Sequence, residues 1–403
     1  MLKGSFHMKK NHLFLLITII LFLTSGCSNY LELNQVGVII GVGLDQNDDP
    51  NEPYRVTYQV LNPSGLAQGL SSADTGLAVV NYTVTGETLL ETSRKASAII
   101  PRRSTLTHMS LVVVSEKLAR NNLDSLFDTL DRSKQGRTSL PVFIARDSTA
   151  EHVLNGVEPF EINPVKSIIS TSENNQKLYG VSNNMLVYDA ISALSSKGKD
   201  LAIPGLNIHN DSPESSRASN LETTNPSVIE VNGLAMFKEG KLVRWLDGEK
   251  ARAVQFITSD INSTVVSIQC KQGNIGLGIN RVKSEIKTDV RQNEPIIHLN
   301  STMTGEILES SCAADLTDHH LLNRYEKEFE KEITKQIKQT IAIAQKEKSD
   351  IFGFGDSLAR THPTYWHKHQ DNWRNLFSNA KTSIKVNVNI TNTGMRTNSY
   401  EAE

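Results

Sequence analysis

A single cysteine near the N-terminus stands where it could accept a lipid. Lys9-Lys10 precedes a largely apolar run from Leu13 to Leu23, and Thr24-Ser25-Gly26-Cys27 follows. A positive start, a core of about 7–15 apolar residues and small residues before a cut site are typical of a secretory signal peptide. A cysteine thiolate is the nucleophile that can accept a diacylglyceryl group. We therefore predict that residues 1–26 are a lipoprotein signal peptide and that Cys27 carries an S-diacylglyceryl group and an N-acyl chain.

Lipidation at this position would hold an exported chain on a membrane face. The apolar run is too short to span, since a spanning helix needs about 20 apolar residues, whereas two acyl chains anchor stably. Two alternatives stay open. Thr24 stands where leucine is commonest in lipoprotein signals, so an ordinary signal peptide with a chance cysteine is the competing interpretation. Translation could also begin at Met8 instead of Met1.

The C-terminal segment His362–His369 is the densest candidate for metal binding. It holds three histidines, and closely spaced imidazoles can bind a transition metal. Their spacing fits no standard zinc pattern, however, and Lys368 lies between two of them, which disfavours a cation. We therefore predict no metal site, and expect a surface segment in which three aromatic residues pack: Tyr365, Trp366 and Trp373.

Other catalytic patterns are missing from the sequence. Gly353-Phe354-Gly355-Asp356 follows a predicted helix instead of a strand and lacks the Lys-Ser/Thr of a phosphate-binding loop, so it indicates a helix terminus. No G-x-S-x-G or H-E-x-x-H motif is present. The acidic residues are scattered as on a solvated surface. These patterns predict a protein that is not an enzyme and has no cofactor.

Composition narrows the class of protein and its partners. The 403 residues are 38% hydrophobic and 21% charged, as expected for a globular chain long enough for several domains. A formal net charge of -2 provides no field to attract nucleic acid, which is therefore excluded as an expected partner. Cys270 and Cys312 could pair in an exported protein, but sequence does not give the distance between their Cα atoms. Two isolated buried thiols are the default expectation.

The N-terminal part alternates strand and helix patterns. The β-branched run at 36–45 predicts a buried strand, and 54–60 its antiparallel partner. A third strand is predicted at 79–85 and a helix at 86–100. The strand at 109–114 precedes a helix for which Ser115 is the expected N-cap. The pattern lacks the regularly repeated long crossovers of a doubly wound sheet. We therefore predict an α+β fold: a multi-domain exported protein of sheets with packed helices.

A polar segment at 207–227 divides the chain. It is nearly free of large apolar residues, so it cannot bury enough surface to offset its ordering entropy. We predict an N-terminal α+β domain at 27–206, a linker at 207–227 and a C-terminal α+β region at 228–403. Two subdomains are expected within that region, at about 228–275 and 276–403. The first contains a predicted hairpin around Lys238-Glu239-Gly240.

The C-terminal region contains the clearest helix and the clearest strand. From Leu321 to Ile341 the apolar residues recur every four positions, which predicts a long helix with one buried stripe. Its C-terminus is expected near Lys346 and Lys348, with the glycines at 353 and 355 beyond it. Strict alternation from Ile384 to Ile390 predicts a strand with one buried face.

Several segments together resemble the Ger(x)C lipoproteins, the C subunits of nutrient germination receptors of endospore-forming bacteria. No single segment is diagnostic, but their order and spacing cover nearly the whole chain after the signal. The matching segments are Gly26-Cys27, 36–45, 107–115, 232–238, Trp245-Leu246, 349–355, Trp366, Trp373 and 384–390.

The resemblance implies a three-domain exported protein without known catalytic activity. It would be lipid-anchored through Cys27 on the outer face of the spore inner membrane, beside integral-membrane A and B subunits. The receptor would sense a small nutrient and trigger germination; the resemblance names neither the nutrient nor any partner-contact residue. The competing interpretation is a lipid-anchored solute-binding protein that delivers a nutrient to a transporter, and a lipid-anchored hydrolase ranks third.

Overall fold

The structure is a computed structural model, and it describes most of the chain after the predicted signal. The described residues are 14–15, 35–63, 78–132, 137–161, 163–210, 212, 216–221, 223–259, 261–270, 273–312 and 315–394. No helix within these ranges is long and apolar enough to cross a membrane.

Nine strands of the described chain form the first sheet, in the order β3-β2-β1-β5-β6-β7-β8-β9, with β4 beside the start of β1. Their bounds are β1 (Val36–Gln46), β2 (Tyr54–Leu61), β3 (Val79–Gly86), β4 (Arg103–Thr105), β5 (Leu111–Ser115), β6 (Val142–Ala145), β7 (Ala202–His209), β8 (Val228–Lys238) and β9 (Lys241–Leu246). Strands β1, β5, β6 and β7 run parallel, and the flanking pairs β2-β3 and β8-β9 are antiparallel. The predicted antiparallel pair and the predicted hairpin are both confirmed.

Helices cover both faces of this sheet, because its central strands are apolar on both sides. They are α1 (Leu89–Ile99), α2 (Glu116–Ala119), α3 (Asp124–Arg132), α4 (Ala150–Asn155), α5 (Pro164–Leu178) and α6 (Val187–Ser195). Val112 packs in the core with α1, α3 and α6, whereas Val113 faces the core with α4 and α5. The predicted N-cap is confirmed in position: Ser115 is the N-cap residue of α2, although its side chain makes no capping hydrogen bond.

Residues 207–209 of the predicted linker at 207–227 belong to β7, and the rest of the segment leads from β7 to β8. Strand β7 ends at His209 and pairs with β8, which begins at Val228. The first sheet therefore continues across the predicted linker. The division of the chain into domains at 207–227 stays a prediction.

Strands β10 (Thr264–Cys270), β11 (Gly273–Arg291), β12 (Glu294–Ser310) and β13 (Lys381–Asn392) form a second sheet in that order. Among these described strands, only the β12-β13 pair is parallel. The helices around it are α7 (Glu249–Thr258), α8 (His319–Glu347), α9 (Phe354–Thr361), α10 (Pro363–His369) and α11 (Trp373–Asn379). The two sheets with their packed helices confirm the α+β fold class. The position 275/276, expected between two subdomains, lies inside β11.

The long helix α8 buries the stripe that its sequence predicts, including Phe329, Ile333 and Ile337. The helix ends at Glu347, beside the two lysines as expected, but its C-cap is not a glycine. Lys348 itself takes the left-handed conformation after the last turn, with φ 57°. Gly353 is instead the N-cap of the next helix, α9.

Cys270 and Cys312 form a disulfide, with 6.1 Å between their Cα atoms. The expectation of two isolated thiols is therefore wrong. Strands β10 and β12 both pair with β11, so the end of β10 lies near the residues that follow β12. This proximity depends on sheet pairing, which the spacing of the cysteines in the sequence does not reveal.

Candidate functional site

The predicted lipid-bearing residue lies outside the described part of the chain. Residues 1–13 and 16–34, which include Cys27, are not described. Strand β1 begins at Val36, nine positions after this cysteine. The lipid site therefore stays a prediction from sequence.

The segment His362–His369 packs through its aromatic residues. Trp366 and Trp373 are buried, and their rings meet edge-on with 5.7 Å between centroids. The Tyr365 ring stacks on His369, and its hydroxyl donates to the Asn293 carbonyl over 2.8 Å. Within the described ranges, no three His, Cys, Asp or Glu side chains group closely enough to hold a metal ion.

The Gly353–Asp356 region belongs to a site that the sequence did not reveal, which we call the carboxylate junction. We define the junction by Asp200, Ser349–Gly355, Trp373 and Arg374. Asp200 lies two positions before the first sheet's strand β7, whereas the other members follow helix α8 of the second sheet. The junction therefore joins the two halves of the chain.

Asp350 lies at the centre of the junction and is only 1% exposed. Its Oδ1 accepts hydrogen bonds from the backbone N–H groups of Phe352, Gly353 and Phe354, at 3.0–3.2 Å. Its Oδ2 accepts from the Gly355 N–H at 2.8 Å and from the Trp373 indole N–H at 3.0 Å. Five N–H groups of the described chain thus converge on one carboxylate, which fixes the turn that leads into α9.

Asp200 connects this turn to the first sheet. Its Oδ2 accepts from the Asp350 backbone N–H at 3.1 Å, and its own N–H donates to the Asp350 carbonyl at 2.8 Å. Its Oδ1 lies 2.9 Å from a guanidinium nitrogen of Arg374. Ser349 adds a hydrogen bond from its hydroxyl to the Phe237 carbonyl in β8. Asp200, just before the start of β7, is thus paired with a cation from the C-terminal half.

Two glycines allow the two chain segments to approach this closely. A Cβ on Gly355 would lie 2.6 Å from the Gly198 Cα, and a Cβ on Gly198 would lie 2.6 Å from the Asp356 nitrogen. Real Cβ atoms essentially never make contacts below 3.0 Å. Neither position can therefore carry a side chain while the junction keeps this geometry.

Burial and hydrogen bonding act on Asp350 in opposite directions. Burial is the larger effect and raises the pKa of Asp350 to about 7, with a further contribution from the nearby Asp200 carboxylate. The N–H groups of Gly355, Phe354 and Trp373 favour the charged form and lower the pKa. These donors are backbone amides and an indole, which do not exchange protons readily at neutral pH. The arrangement is suited to positioning two segments and not to proton transfer.

The sequence indicates the turn at this site but not the contact between its two aspartates. Asp350 follows a long predicted helix and precedes Gly353 and Gly355, a pattern that indicates a tight turn. Nothing local to Asp200 indicates its partner, because the two acids are 150 positions apart. Pairing of this kind depends on the tertiary fold.

The chain is similar to known spore germination proteins along most of its length. A family model described as "Spore germination protein N-terminal domain" matches residues 29–208. A second, described as "Spore germination B3/ GerAC like, C-terminal", matches residues 232–394. The junction therefore takes Asp200 from the first matched region and its remaining members from the second.

Individual relatives match over nearly their full length. Spore germination protein KC of Bacillus subtilis (strain 168) is 28% identical over 381 residues, which are 93% of each chain. Spore germination protein B3 of the same organism is 24% identical, over 96% of this chain and 99% of its own. The crystal structure of the GerBC protein shares the fold with a TM-score of 0.53 and 20% identity, covering 87% of this chain and 97% of that chain. With both family models matched in order, the chain belongs to the Ger(x)C family of spore germination proteins.

Proposed function

We propose that this protein is the lipid-anchored, non-catalytic C subunit of a nutrient-sensing spore germination receptor. It would act with integral-membrane A and B subunits to trigger germination. The observation that carries the proposal is the match to spore germination proteins along 29–208 and 232–394. The predicted lipoprotein signal at 1–26, with Cys27 directly after it, supports the anchor.

The proposed location is the outer face of the spore inner membrane. Two acyl chains on Cys27 would hold the protein there without a spanning helix. Confinement to one membrane raises the effective concentration of the subunits for one another, so individually weak contacts suffice for assembly. This would let a subunit that makes only weak contacts stay in the receptor complex.

The carboxylate junction supports a role in holding a fixed shape. The carboxylate oxygens of Asp200 and Asp350 accept hydrogen bonds from backbone N–H groups, an indole and a guanidinium, all of which belong to the protein itself. Such a site ties the two halves together and leaves little for a substrate to bind.

The solute-binding alternative fits the architecture less well. A protein that closes around a nutrient would have two similar lobes on either side of a cleft. The two sheets here differ in size, with nine and four described strands, and in topology.

Co-purification tests this proposal. The tagged full-length protein would be solubilised in mild detergent from sporulating cells, and its companions would be identified by mass spectrometry. We expect two integral-membrane proteins with the wild type and a much lower yield of both with Cys27→Ala, since the untethered chain loses the benefit of confinement. Recovery of the wild type without integral-membrane companions would contradict the receptor assignment.

A further inference from the structure

An open cavity in the first sheet's half of the molecule is unrelated to the carboxylate junction. It has a volume of about 370 Å³ and lies between α1, α3 and the sheet. Its floor includes Val42, Val56 and Val112 from three neighbouring strands. Leu90 of α1 and Leu130 of α3 line its walls. The space is therefore bounded by regular elements on three sides.

The size of the cavity is that of a small-molecule site. Ligand pockets are typically about 300–1,000 Å³, and a dry apolar cavity of about 150 Å³ is enough to bind benzene. Leu90 is 61% exposed although it lines this space. An apolar ligand would cover part of that leucine, which gives the binding a hydrophobic driving force.

The polar groups around the cavity already have partners in the protein. The Tyr58 hydroxyl lies 3.1 Å from the Thr92 hydroxyl, and burial raises the pKa of Tyr58 to about 12, so the phenol stays neutral. The Ser93 hydroxyl donates to the Leu90 carbonyl at 2.7 Å.

The groups on α3 are engaged in the same way. The Thr129 hydroxyl donates to the Ser125 carbonyl at 2.8 Å. The Arg132 guanidinium pairs with Asp128, also at 2.8 Å, so its charge is balanced on its own helix. An anionic ligand would have to compete with Asp128 for Arg132, and burying an uncompensated charge is costly.

We propose that this cavity binds a small, uncharged ligand with a single short aliphatic body, of which octanol is the experimental stand-in. The ligand comes from solution, since a two-chain phospholipid is too large for a space of about 370 Å³. This inference does not depend on the receptor assignment.

Photolabelling of the full-length protein in lipid nanodiscs tests the proposal. The probe is an octanol analogue with a diazirine on its chain, and labelled peptides are mapped by mass spectrometry. We expect saturable labelling in the peptides that contain Leu90 and Leu130. Excess octanol should lower it about tenfold, and octanoate or octylammonium should compete about tenfold less well, because each carries a charge.

A matched pair of variants on α1 gives an independent readout. Ser93→Phe fills the cavity and should reduce labelling about tenfold. Ser97→Phe lies one turn further along α1, at an exposed position, and should leave labelling within about twofold of wild type.

Three results would overturn the proposal. These are labelling that does not saturate, equal competition by charged and uncharged octyl compounds, and labelling of the same peptides by a phospholipid with the diazirine on its acyl chain. The competition arms use the wild type alone, so they decide the matter even if Ser93→Phe does not fold.

Discussion

Gly355→Ala is expected to destabilise the protein because the carboxylate junction leaves no room for a methyl group. The new Cβ would lie 2.5 Å from the Trp373 indole nitrogen and 2.6 Å from the Gly198 Cα. Ordinary van der Waals contact begins at 3.4 Å, so the neighbours must move by about 0.9 Å. One of those neighbours is backbone, which cannot rotate away as a flexible side chain could.

The magnitude follows from the two effects of that movement. Overpacking a tightly packed site costs about 1–3 kcal/mol. The shift also strains the hydrogen bonds from Gly355 and Trp373 to Asp350. Above its pKa of about 7, Asp350 is charged, and a hydrogen bond to a charged group contributes about 1.5–3 kcal/mol. With one of these bonds lost, the free energy of unfolding should fall by about 4 kcal/mol.

Urea unfolding of the protein without residues 1–27, monitored by tryptophan fluorescence, measures the change in the free energy of unfolding. Trp373 is one of three tryptophans and lies in the junction itself. Gly276→Ala in β11 is the matched control, because its added Cβ would meet nothing nearer than 3.6 Å. The control should change the free energy of unfolding by less than about 0.5 kcal/mol.

A double mutant tests whether one shared contact is responsible. Gly198→Ala introduces a clash from the other segment, 2.6 Å from the Asp356 nitrogen. Because both methyl groups force the same two segments apart, the double variant should lose less than the sum of the single losses. An unchanged stability of Gly355→Ala, or strictly additive losses, would refute the reasoning.

Three further outcomes are expected. Cys27→Ala should abolish incorporation of a radioactive fatty acid, and equal label in the variant would contradict the lipid assignment. Val388→Asp should lower the free energy of unfolding by about 3–5 kcal/mol, because Val388 is 2% exposed and an unpaired charge would be buried. The control Asn389→Asp, on the exposed face of the same strand, should change the melting temperature little. Replacing Cys270 and Cys312 together by alanine should lower the free energy of unfolding in urea by about 4 kcal/mol. The loss comes from the chain entropy that the unfolded state regains across a separation of 42 residues. A loss under about 1 kcal/mol would show that the crosslink constrains the unfolded chain little.

Elements with a strong local pattern were predictable from the sequence. Helix α8 follows its four-residue apolar repeat, and β13 follows its strict alternation, with Val386 and Val388 buried. In both, the buried face is set by a period that the sequence displays directly.

Features that depend on distant contacts were not predictable. The disulfide forms because β10 and β12 share the neighbour β11, and Asp200 meets Asp350 across 150 positions. At Ser115 the residue type suited a helix cap, yet the side chain makes no such bond. Local propensity located this helix start but did not determine the contacts of its side chain.

Germination of spores that lack this protein tests the central claim most directly. A receptor subunit without chemistry of its own is needed to sense its nutrient and for nothing later. We therefore predict that the deletion spores stay viable, ignore the cognate nutrient, and germinate normally with a chemical trigger that bypasses the receptors. A lipid-anchored hydrolase of the cortex would be needed whichever trigger is used. Spores that stall equally with the nutrient and with the bypass trigger would contradict the receptor account.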